Sequence, residues 1–169
     1  MSAVSFMPVT EEHRPLLEGW LAQHHWREWW GEPEEEMRLI YAVEDGEHEP
    51  YLACINGVPM AYIQAWWPSQ HPDVPWVRDM AITERGIDIA IGDASQLGKG
   101  HGTLIIKQFA AKLLAEGASR LVIDPDKRNE RAIQCYMKAG FTPFGEHEGD
   151  LLMELLPEDF DYGAGYAQN

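Results

Sequence analysis

Between residues 86 and 123 the chain changes character in an order that few folds accommodate. Residues 86–91 set Ile87, Ile89 and Ile91 against Asp88 and Ala90, the two-residue period of a strand. A glycine-rich loop, Gly98-Lys99-Gly100-His101-Gly102, then opens an apolar helix running from Thr103 to about Glu116 and ended by Gly117. Residues 121–123 follow as a short buried strand. Two strands joined through such a helix pair in parallel within one sheet, so the fold class is α/β with a mixed sheet.

The flanking segments supply the remaining elements. Residues 4–9 read as a strand, and Thr10 as the cap of a helix carrying Leu16, Leu17, Trp20 and Leu21, which stops near His24 and His25. Residues 26–31 form an aromatic cluster with no clear period. Pro33 followed by Glu34, Glu35 and Glu36 starts a second helix, its acids facing the positive end of the dipole, and this helix runs toward Asp45-Gly46. Two apolar runs around Asn56-Gly57 make a tight hairpin. Residues 68–79, with three prolines, are an irregular loop. Asn129 caps a helix closed by Gly140, and strands near 141–144 and 151–155 complete the core. Residues 1–157 form one domain and residues 158–169 a loose tail. Trp20 and one or both of Trp66 and Trp67 are expected in the core.

Charge narrows the partners. The 169 residues carry 28 acids and 13 bases, a formal charge of −15, which argues against nucleic acid and against anionic membranes. The imbalance is local: residues 1–50 hold 12 acids and 3 bases, whereas residues 101–150 hold 7 of each. The front half attracts cations, and the third quarter tolerates an anion. Solubility alone also accounts for an acidic surface. Two cysteines, Cys54 and Cys135, exclude a disulfide scaffold and leave no zinc spacing. With no long apolar run and no leader pattern, a soluble cytoplasmic protein is expected.

The stretch Gln96-Leu97-Gly98-Lys99-Gly100-His101-Gly102-Thr103 carries the clearest chemistry. Glycines two residues apart let backbone N–H groups converge on a ligand, and the helix that follows adds its unpaired N–H groups and dipole. This suits a pyrophosphate, with Lys99 alongside. The order is wrong for a P-loop, and the position in the chain is wrong for a dinucleotide fingerprint. Gln-x-x-Gly-x-Gly leading into a helix resembles the acetyl-CoA signature of the GCN5-related N-acetyltransferases. The stretch from Asn129 to Phe141, with Ala132, Tyr136 and Gly140, is similar to that family's second element. The resemblance spans roughly residues 50–155. It implies a central, mostly antiparallel sheet, flanked by helices, whose one parallel pair is splayed around acetyl-CoA; no metal is implied.

A closer similarity is to the aminoglycoside 6′-N-acetyltransferases, carried by Glu28-Trp29-Trp30-Gly31, Tyr62-Ile63-Gln64, Arg85-Gly86-Ile87-Asp88 and Ala94-Ser95-Gln96-Leu97-Gly98-Lys99-Gly100. The resemblance implies Asp88 as the acid beside the reacting amine and Tyr136 as the general acid for the thiolate. Gln96 through Thr103 and Asn129 would hold the cofactor; Trp30, Gln64, Asp73, Trp76 and Asp124 would touch the acceptor. Lys127, Arg128 and Arg131 lie where CoA phosphates could meet them. The pattern departs around residues 33–50 and 145–150. A polycationic small molecule suits the acidic front half, since carboxylates focus cations and tryptophan faces stack on sugars and ammonium groups. Other acceptors compatible with the motifs are hydroxylysine, as in siderophore N-acyltransferases (His71 and His101 being the nearest histidines), polyamines, or protein amines. A CoA-binding sensor domain is the non-enzymatic reading. Oligomeric state, monomer or homodimer, stays open.

Overall fold

The computed structural model describes residues 2–44 and 46–163. Asp45, part of the expected helix stop, and residues 164–169 of the expected tail lie outside the described residues. Among the described residues, seven strands and five α-helices follow in the order β1 (Val4–Pro8), α1 (Arg14–Leu21), α2 (His24–Trp29), α3 (Pro33–Tyr41), β2 (His48–Ile55), β3 (Val58–Trp66), β4 (Glu84–Ile91), α4 (His101–Ala115), β5 (Arg120–Ile123), α5 (Glu130–Lys138), β6 (Thr142–His147) and β7 (Asp150–Leu155). One sheet runs in the order β1-β2-β3-β4-β5-β7-β6, and every pairing is antiparallel except β4 with β5. The mixed sheet and the parallel pair expected from residues 86–123 are both present. No helix among the described residues is long and apolar enough to cross a membrane.

The parallel pair makes the opening that positions the site. β4 and β5 are paired only from Glu84–Gly86 against Arg120–Val122. β4 then continues to Ile91, while β5 ends at Ile123. The peptide groups of β4 beyond Gly86 therefore have no β5 partner, and the sheet splits. Arg120 ties the closed end, donating to Glu84 at 3.1 Å and to Glu154 of β7 at 2.6 Å.

Strand alternation sends the two sides of β4 to different layers. Ile87, Ile89 and Ile91 face the larger core with Ile105, Ile106 and Phe109 of α4. Burial of each such side chain stabilises the fold by about 1.5–3 kcal/mol. Gly86, Asp88 and Ala90 face the layer of α1–α3, where Tyr62, Leu52, Leu17 and Trp26 form the second core. Small residues on this side let tryptophans lie against the sheet. A Cβ on Gly86 would sit 2.0 Å from the Trp66 ring, and one on Gly92 would sit 2.1 Å from Trp20.

Four expectations need correction. The aromatic cluster is a helix, α2, whose six residues make too few turns to reveal a period. Its Trp26 is the fully buried tryptophan, meeting Trp20, Trp30 and Tyr62 at 6.5, 5.1 and 6.2 Å, whereas Trp66 and Trp67 are only half-buried. α3 stops at Tyr41, short of Gly46. The segment expected to be a loose tail from residue 158 is packed at its start: Phe160 is buried in the main core.

Candidate active site

Two cavities meet where the sheet splits. The first, about 550 Å³, lies between the open edge of β4, the start of α4 and one face of α5. Gly98 and Gly100 are in the left-handed region, with φ of 72° and 83°, a conformation glycine adopts without strain. Gly100 turns the chain directly into α4, and the first N–H bonded back to the loop is that of Leu104, on the Gly100 carbonyl at 3.2 Å. The N–H groups of His101, Gly102 and Thr103 thus stand at an open helix terminus. Gln96, Leu97, Gly98, Gly100, His101, Gly102 and Thr103 all line this cavity. Lys99 is exposed and does not. Gly102 is the tight point: a Cβ there would lie 3.1 Å from Sγ of Cys135.

α5 supplies the opposite wall. Asn129 caps it, its Oδ1 accepting from the Ala132 N–H at 3.2 Å, and the same residue lines the cavity. Arg128, Arg131 and Lys138 stand at the mouth. Lys127 is not among them; it pairs with Glu146 at 2.9 Å. Open N–H groups backed by cations are the donor set that a pyrophosphate requires.

The second cavity, about 370 Å³, lies on the α1–α3 side of the split. Asp88 sits opposite Gln64 in the β3–β4 register, and its Oδ2 accepts from Nε2 of Gln64 at 2.8 Å. Glu36 enters from α3, Asp124 and Asp126 from the turn after β5, and Asp150 from the start of β7, while Trp29 and Trp30 close one side. Among the described residues, five carboxylates line this space and no Lys or Arg does.

Crowding changes their titration. Burial pushes Asp124 up to about 8, with repulsion from Asp88 and Asp150 adding to it. Burial also raises Asp88, Glu36 and Asp150. Asp126 is the exception: hydrogen bonds from Arg128 hold it at about 2. Tyr136, shared by both cavities, is raised by burial first and then by the charges of its neighbours, so it stays protonated.

The residues expected from sequence line one cavity or the other with three exceptions, Lys99, Asp73 and Trp76. Asp88, Tyr136, Trp30, Gln64 and Asp124 converge on the acidic cavity. Asp73 and Trp76 line neither cavity. Asp73 is exposed in the loop after β3, and the Trp76 ring packs on Trp66 and Phe144, 6.2 Å from each. Sequence reasoning missed Glu36, Asp126 and Asp150. Glu36 was hidden by its place in a helix-start acid run that the dipole already explains. Asp150 lies in a stretch, 145–150, where the family pattern is lost. Of the two histidines, His101 opens α4, and His71 meets Trp66 edge-on, ring centroids 5.6 Å apart. No cluster of metal-ligating side chains occurs among the described residues.

A family model described as an acetyltransferase (GNAT) domain matches residues 9–149. The aminoglycoside N(6′)-acetyltransferase type 1 of Klebsiella pneumoniae is 34% identical over 152 residues, covering 85% of this chain and 76% of its own. A solved structure of AAC(6′)-Ib with paromomycin and acetyl-CoA matches with a TM-score of 0.85 at 31% identity, covering 98% of this chain and 99% of that one. The lysine N-acyltransferase MbtK of Mycolicibacterium paratuberculosis is similar at 24% identity over 139 residues, 79% of this chain and 62% of its own.

Proposed function

The chain belongs to the GNAT acetyltransferase family, and on that premise we propose that it moves an acetyl group from acetyl-CoA to the 6′-amine of an aminoglycoside. The observation that carries this reading is the meeting, at Tyr136, of an anion-binding cavity with one lined by five carboxylates. Anionic cosubstrate and polycationic acceptor are thereby drawn to opposite sides of one junction.

Acetyl-CoA supplies an acetyl group already activated as a thioester. The loop from Gln96 to Gly102 and the start of α4 hold its pyrophosphate, with Asn129 and Arg131 along its arm. Asp88 takes a proton from the acceptor ammonium, directly or through water, and frees the nitrogen lone pair. The C–N bond forms as the C–S bond breaks, Tyr136 gives its proton to the departing sulfur, and the second proton of the acylated nitrogen passes through water back to Tyr136, leaving a neutral amide and the free CoA thiol. Burial suits both roles: it makes Asp88 a better base and keeps Tyr136 in the acid form. Asp124, Glu36 and Asp150 bind the remaining ammonium groups, and Trp30 packs on a sugar face. An acceptor bearing its own carboxylate, such as hydroxylysine, meets repulsion in this cavity. The reaction belongs in the cytoplasm, where acetyl-CoA is available.

The test is an acetyl-CoA thiol-release assay across kanamycin, tobramycin, spermidine and hydroxylysine. Turnover is expected with the aminoglycosides, and Asp88→Asn should lower kcat by about 10²-fold or more while acetyl-CoA affinity is kept. Turnover with hydroxylysine alone, or an Asp88→Asn enzyme as fast as the wild type, would refute the assignment.

A further inference from the structure

Behind Asp88 lies a polar chain that the chemistry above does not use. Tyr62 and Gln64 are two residues apart on β3 and share a face, and Asp88 stands across from Gln64 on β4. The Tyr62 hydroxyl donates to Oε1 of Gln64 at 2.5 Å, and Nε2 of Gln64 donates to Asp88 at 2.8 Å. Tyr62 is fully buried among Trp26, Trp30 and Leu52, and its hydroxyl has no other hydrogen-bond partner among the described residues. We propose that Tyr62 is a positioning residue for Asp88: its hydroxyl locks the Gln64 amide with the N–H toward the carboxylate, holding Asp88 as a proton acceptor.

The argument rests on donors and acceptors. In the observed arrangement each proton has an acceptor: Tyr62 O–H on Oε1, Gln64 N–H on the ionised carboxylate. If Asp88 takes up a proton and turns it toward the amide, Oε1 must face Asp88 and the N–H must face Tyr62. The Tyr62 O–H is then left in an apolar pocket with no acceptor, which is costly. The chain therefore favours ionised Asp88 and opposes the burial that favours its neutral form. A phenylalanine at 62 has no proton to strand, so this bias disappears. The other groups acting on Asp88 are Glu36 from α3, Asp124 from the turn after β5, Tyr136 from α5, His48 from β2 and His71 from the loop after β3. All are retained when Tyr62 is changed, so a comparison isolates the hydroxyl.

The inference rests on Asp88 being the base of the proposed reaction, but its test is a titration that needs no turnover. Side-chain carboxyl carbons of aspartate are followed by NMR from pH 4 to 9 in the full chain, with Asp88→Asn identifying the Asp88 signal. Tyr62→Phe is expected to raise the Asp88 midpoint by about one pH unit, and to shift the acidic limb of kcat/KM equally. Gln64→Leu should raise it at least as far, and adding Tyr62→Phe to Gln64→Leu should change nothing more. Tyr62→3-fluorotyrosine keeps the ring and strengthens the O–H donor, so it should move the midpoint down even if Tyr62→Phe does not fold. An unchanged midpoint in folded Tyr62→Phe, or no downward move with the fluorinated ring, overturns the proposal and reduces Tyr62 to packing. Wild-type enzyme that ignores aminoglycosides would instead count against the proposed function and leave the titration result standing.

Discussion

Asp124 shows how far a carboxyl can be displaced by the company it keeps. Burial, with Asp88 and Asp150 close by, pushes it up to about 8. An unfolded chain returns it to about 3.9. Between those values the folded state binds more protons than the unfolded state, so this group makes stability fall as pH rises from about 4 to about 8. Asp88, Glu36 and Asp150 shift in the same direction and reinforce the effect. Asp126, held at about 2, acts oppositely but below that window. The free protein should therefore melt at a higher temperature near pH 5 than near pH 8. Asp124→Asn should flatten that dependence and stabilise the protein at pH 8 by on the order of 1–2 kcal/mol; thermal melts at both pH values measure it. A variant less stable than the wild type at pH 8 would show that Asp124 is not strained. At this scale sequence reading went far for residues within a motif. Asn129 was legible as a helix cap and Asp88 as the acid of an alternating strand, because local pattern constrains both, whereas Tyr136 stood out only through the family resemblance. Glu36 and Asp150 were not, because their partners are distant in the chain.

At the level of elements, the geometry of β4 governs the site. One side carries isoleucines into the α4 core; the other is small wherever a tryptophan must lie flat. Gly86→Ala forces a Cβ to within 2.0 Å of the Trp66 ring, which packs against His71 and Trp76. Overpacking of this kind costs about 1–3 kcal/mol. Urea denaturation should show a loss of that size. Unaltered stability would mean that the ring finds another rotamer without cost. The hairpin at Asn56-Gly57, the glycine loop and the Asn129 helix cap were legible in sequence, since turn residues act locally. The α2 helix was not, because six residues show no period and its stability comes from Trp26 packing on Trp20 and Tyr62.

For the whole molecule, the excess of 28 acids over 13 bases becomes functional only through its placement. Carboxylates from α3, β4, the turn after β5, and β7 converge on one cavity, while Arg128, Arg131 and Lys138 stand at the other. Raising the salt from about 50 to 500 mM should increase the aminoglycoside KM several-fold, because attraction between partly exposed charges is screened. A salt-independent KM would mean that contact, not field, captures the acceptor. The sequence by itself determined the mixed α/β class, the parallel pair and the glycine loop that opens α4, because each depends on periodicity or on residues close along the chain. Only the tertiary structure decided the acceptor cavity. The split between β4 and β5 exists because they pair over just three positions before β5 ends. The carboxylates that meet there are brought from segments more than 100 residues apart, and proximity of that kind is created by packing alone.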